Sequence, residues 1–85
     1  MNFEVIWHPK AVKALDKLPR ELAVRIREKI DEVKEDPRRH AEKLVESDDY
    51  KIRVGDYRLF VGITYNPDTL AIFSIRHRKE AYKKK

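Results

Sequence analysis

The stretch from Tyr50 to Tyr65 constrains the fold more than any other part of the chain. Tyr50, Ile52 and Val54 alternate with Lys51 and Arg53, and Gly55-Asp56 interrupts the pattern. Tyr57, Leu59, Val61, Ile63 and Tyr65 then resume it, with Arg58, Phe60, Gly62 and Thr64 between them. A period of two over this length describes strands with one packed face and one wet face. Gly55-Asp56 suits a two-residue hairpin turn, the glycine supplying positive φ. Such a turn fixes register: Val54 faces Tyr57, Arg53 faces Arg58, Ile52 faces Leu59 and Lys51 faces Phe60. Asn66-Pro67-Asp68 reads as a further turn and Leu70 to His77 as a last strand, completing a three-stranded antiparallel meander.

The remaining residues must cover the apolar face. Asn2 to Trp7 reads as a short strand stopped at His8-Pro9, with Pro9 at the first position of a helix. Ala11, Ala14, Leu15 and Leu18 recur at helical spacing until Pro19, and Leu22, Ile26, Ile30 and Val33 form a second stripe that ends at Asp36-Pro37. Leu18-Pro19-Arg20 joins these into a helical hairpin. Arg38 to Asp49 reads as a loop anchored by Leu44 and Val45. The expected architecture is α+β: an N-terminal strand, a two-helix hairpin and the meander, with the helices on one sheet face. Residues 1–85 read as a single domain with a basic tail at 83–85, and Phe3, Trp7 and Phe73 are assigned to its core rather than to base stacking.

Composition excludes several classes. Eighty-five residues allow one modest core. No apolar run approaches the roughly 18 residues that span a bilayer, so no membrane role is expected. There is no secretory pattern at the start, and a cytoplasmic location is the expectation. With no cysteine, disulfides and thiolate metal sites are impossible. His8, His40 and His77 are not paired with carboxylates at metal-ligand spacing, and two glycines make no phosphate-binding loop. High Lys, Arg and Glu content without glutamine is a weak sign of a protein made for high temperature.

Charge says more. The net charge is +5, but residues 1–49 are net −1 and residues 50–85 net +6. Without Lys83, Lys84 and Lys85 the second segment still carries +3, so the excess belongs partly to the meander. Like charges opposite one another on a sheet cost up to about 1 kcal/mol, so the Arg53–Arg58 pair suggests an anion between them. Arg76 joins them only if the connection to the last strand has an odd number of residues or the strand contains a bulge. Otherwise it points into the core, which is prohibitive for an unpaired guanidinium. Lys51, Arg53, Arg58 and Arg76 would then share a patch with Phe60 and Ser74, suited to phosphodiester oxygens and stacked bases. Cleaving RNA there would require a proton acceptor for a 2′-hydroxyl, cations for the phosphorane and a donor for the 5′-oxygen. His77, Tyr82 and a lysine are the proton carriers at hand. His77 would share the face with Arg76 only if the strand ended before it.

The segments YKIRVGDYRLF at 50–60 and RHRKEAY at 76–82 resemble the RelE side of the RelE/ParE toxin superfamily, as does the chain from Trp7-His8-Pro9 to Tyr82. The resemblance implies a metal-independent, cofactor-free ribonuclease that cleaves mRNA in the ribosomal A site, leaving a 2′,3′-cyclic phosphate. It implies Lys51 as general base, Arg58 as transition-state stabiliser and Arg76 as general acid or leaving-group stabiliser. Tyr82 would orient the nucleotide by stacking. Arg53 stands where RelE has a second lysine and would act electrostatically. His77 and Glu42 are secondary candidates for proton transfer, and Phe60, Arg78 and Lys79 for RNA binding. The implied partners are a RelB-like antitoxin, mRNA and the ribosome with its 16S rRNA. The alternative within the superfamily is a ParE-like inhibitor of DNA gyrase without RNA chemistry.

Overall fold

The computed structural model describes residues 2–81, so Tyr82 and the 83–85 tail lie outside the described residues. The chain runs β1 (Glu4–Trp7), α1 (Pro9–Asp16), α2 (Arg20–Val33), α3 (Pro37–His40), β2 (Glu42–Lys43), β3 (Tyr50–Val54), β4 (Tyr57–Thr64), β5 (Thr69–His77) and α4 (Arg78–Ala81). The strands form one five-stranded sheet ordered β1-β5-β4-β3-β2. It is antiparallel except for β1, which lies parallel to the first half of β5.

Local chemistry accounts for the breaks. His8 is the N-cap of α1, its Nδ1 accepting from the Lys10 amide at 3.4 Å, and Pro9 occupies the first turn, where its missing donor costs nothing. Pro19 separates the helices and is the N-cap of α2. Both helices bury the stripe their spacing predicts: Ala11 and Leu15 from α1, and Ile26, Ile30 and Val33 from α2. These pack on Ile52, Val54, Leu59, Val61, Leu70, Ile72 and Ile75 of the sheet, with Phe3 and Trp7 partly buried at the margin.

Two segments depart from expectation. Residues 38–49 are not simply a loop: α3 turns the chain, and Glu42 and Lys43 add a short edge strand opposite Lys51 and Tyr50. Leu44 is half-buried, whereas Val45 is 96% exposed and anchors nothing. Phe73 also leaves the expected core and is 37% exposed, for a reason that lies in the register of β5.

Candidate active site

The β3–β4 hairpin has the register set by its turn, with Arg53 opposite Arg58 and Lys51 opposite Phe60. Gly55 takes φ +59°, the left-handed conformation required at the first central position of the turn. Every even-numbered residue of β4 from Arg58 to Thr64 therefore points away from the helices.

β5 reaches the same face by an indirect route. Thr64 pairs with Thr69, leaving a four-residue connection, Tyr65 to Asp68. Continued unbroken, that register would place Ile75 opposite Arg58 and turn Arg76 inward. A bulge intervenes: Val61 pairs with Ile72, but Phe60 pairs with Ser74, and Phe73 is the extra residue. Beyond it the parity is reversed, so Ile75 enters the core and Arg76 faces out opposite Arg58. Of the two routes open from sequence, an odd connection or a bulge, the bulge is used.

The result is a row of arginines, Arg53–Arg58–Arg76, across three adjacent strands. Strands lie about 4.8 Å apart, so the row spans about 10 Å. Arg53 and Arg76 are exposed, while Arg58 at the centre is 6% exposed. Burial holds the central guanidinium in one place and strengthens its field, since a charge acts more strongly as the local dielectric falls. The next row, about 7 Å along the strands, runs Glu42–Lys51–Phe60–Ser74. Lys51 Nζ lies 4.0 Å from Glu42 Oε1, and the lysine is the less exposed partner, at 25% against 70%. The short β2, invisible to periodicity, thus brings both candidate bases to one spot. Phe60 and Ser74 are half-buried beside them.

Other expected residues lie elsewhere. β5 continues through His77, so the condition for His77 to share the face of Arg76 is not met. Its ring meets Tyr57 edge-on at 5.1 Å, and its Nδ1 accepts from the Lys79 amide at 3.2 Å. Arg78 and Lys79 are exposed at the start of α4, where Arg78 donates its amide to the Asp56 carbonyl at 2.7 Å and sets its guanidinium 4.0 Å from the Asp56 carboxylate. At the opposite end of β4, Tyr65 packs on Phe3 and accepts from Arg38, whose guanidinium pKa is raised first by that hydrogen bond and then by the neighbouring phenols of Tyr65 and Tyr50. No group of three or more metal-ligating side chains occurs among the described residues.

The architecture has counterparts among solved structures. The free form of an Escherichia coli RelE toxin variant superposes with a TM-score of 0.80 at 28% identity, covering 96% of this chain and 88% of that one. The RelBE2 toxin–antitoxin complex of Mycobacterium tuberculosis gives 0.85 at 25% identity over 92% of this chain and 100% of its counterpart. The archaeal RelE–RelB complex of Pyrococcus horikoshii gives 0.77 at 26% identity, covering 92% and 97%. Among curated protein sequences nothing matches. The family model for the ParE toxin of type II toxin–antitoxin systems matches residues 5–82, nearly the whole sequence. The chain therefore belongs to the ParE toxin family of the RelE/ParE superfamily, and is a toxin of a toxin–antitoxin system with the fold of RelE.

Proposed function

We propose that this toxin is a metal-independent endoribonuclease of the RelE type, cleaving mRNA in the ribosomal A site. The observation that carries the reading is the arginine row with a buried centre and a lysine–glutamate pair one row away. In the proposed reaction the 2′-oxygen attacks the adjacent phosphorus and loses its proton to Lys51 or, through the same contact, to Glu42. Arg58 and Arg53 offset the charge that gathers on the non-bridging oxygens. The P–O5′ bond breaks, a 2′,3′-cyclic phosphate remains, and the departing 5′-oxygen either takes its proton from Arg76 or, stabilised by that guanidinium, takes it from water. Tyr82, Phe60, Arg78 and Lys79 are proposed to hold the RNA. Nothing in the geometry favours His77 for proton transfer, because its ring lies on the other side of β5.

Acting on ribosomes places the protein in the cytoplasm, as one domain, neutralised by a cognate antitoxin like the RelB chains bound to its relatives. A ParE-like gyrase inhibitor is the second reading, favoured by the name of the matching family. Purified protein should cut mRNA on programmed ribosomes and leave gyrase supercoiling unaffected. Supercoiling inhibition with intact mRNA would reverse the two readings.

A further inference from the structure

The bulge that turns Arg76 outward also places Phe73 on the cationic face of the sheet. Phe73 lies over Gly62: a Cβ at residue 62 would come within 2.8 Å and 2.9 Å of the ring atoms Cζ and Cε2. The absence of a side chain at 62 is therefore what lets the ring settle against the strand. The ring is 37% exposed, and His8 flanks it edge-on at 6.5 Å. Ala71, which pairs with both Gly62 and Ile6, extends the surface to an Ile6 that is 49% exposed. This apolar row lies next to the row of Lys51, Phe60 and Ser74, and about 13 Å along β4 from Arg58.

We propose that Phe73, seated on Gly62 and flanked by His8, is a stacking platform for a nucleobase one or two positions from the phosphate held at Arg58. The occupant follows from continuity of charge and surface: a polyanion gripped by the arginine row extends along the sheet, and the adjoining row offers a ring instead of a further cation, with the Asp49 carboxylate 3.8 Å from where a Cβ at residue 62 would lie. Single-stranded nucleic acids are bound by this combination of a cationic track and aromatic surfaces, and stacking tolerates any base because each has a π face. The bulge then does two things at once, absorbing the extra residue that would otherwise turn Arg76 inward and presenting the ring of that residue on the cationic face.

The inference rests on the RNA reading above, and the experiment separates the two. The full chain is titrated, without ribosomes, into a fluorescent-labelled pentaribonucleotide bearing 2-aminopurine on one side of a 2′-O-methylated, uncleavable linkage. Affinity is read by anisotropy and stacking by quenching of the 2-aminopurine. Phe73→Ala should weaken binding about 5- to 100-fold and abolish quenching, and Phe73→Trp should restore both. Gly62→Ala, which displaces the ring while keeping it, should reduce quenching at unchanged thermal stability. Wild-type protein that leaves ribosomal mRNA intact yet shows Phe73-dependent quenching would keep the platform and remove the nuclease reading. Cleavage by the wild type with Phe73→Ala binding and quenching the probe equally well would keep the nuclease and overturn the platform. A loss confined to binding of an antitoxin peptide would also overturn it, assigning the face to protein docking.

Discussion

Arg53, Arg58 and Arg76 stand side by side at positions where stability alone would favour threonine or an opposite charge. Arg53→Thr should therefore raise the melting temperature by about 1–6 °C while slowing cleavage, measured by differential scanning calorimetry and single-turnover kinetics on ribosomes. A row placed only for solubility would give the rise without the loss. Arg58→Lys keeps the charge but replaces a planar fork by a point donor, and cleavage should fall about 100- to 1000-fold. Lys51 and Glu42, 4.0 Å apart, are separated by the rate of the chemical step in their single variants. If Lys51 accepts the proton, Lys51→Ala should slow single-turnover cleavage about 100- to 10,000-fold, where Glu42→Gln leaves it nearly unchanged. The reverse assignment would exchange the two variants. The Arg53–Arg58 pairing could be read in the sequence because a two-residue turn admits one register, whereas the Glu42–Lys51 contact could not, since two polar residues carry no period.

The bulge in β5 decides the site at the scale of an element. Its signature lies in the core spacing: Leu70 and Ile72 are two apart, but the next buried residue is Ile75, three further on. That change of step marks one extra residue, and it was obscured because Phe73 is itself apolar and suits either face. Deleting Phe73 should leave a regular ladder in which Ile72 and Ile75 stay inside and Arg76 stays opposite Arg58, so the domain folds. Cross-strand backbone contacts from residue 60 to 74 and from 58 to 76 would show it by NMR. A glycine inserted between Ser74 and Ile75 instead directs Arg76 inward, at a cost of about 3–5 kcal/mol for an uncompensated buried charge, and cooperative unfolding should be lost. Equal stability of the two variants would refute the parity argument. The helices were legible because their stripes end at prolines. The short α3 and β2 were not, since they are formed by pairing and turning against the rest of the sheet.

For the whole molecule, one sheet face carries the packed core, and the proposed chemistry belongs to the other. Leu59, fully buried at the centre of the packed face, joins the helices to the sheet. Leu59→Ala should cost about 2–5 kcal/mol, much of the stability of a domain this small, as read by urea denaturation. The opposite face carries part of the +6 excess of residues 50–85 and tolerates three aligned arginines. RNA affinity should accordingly fall steeply with salt. The central claim is that this face cuts RNA as well as holding it. The most direct test is to map 5′ and 3′ ends on mRNA bound to programmed ribosomes, for the wild type and for Arg58→Ala. The account predicts cleavage within the A-site codon and a 2′,3′-cyclic phosphate end with the wild type, and neither with a folded Arg58→Ala variant. Intact mRNA on ribosomes saturated with wild-type protein, or equal cleavage by the variant, would contradict it.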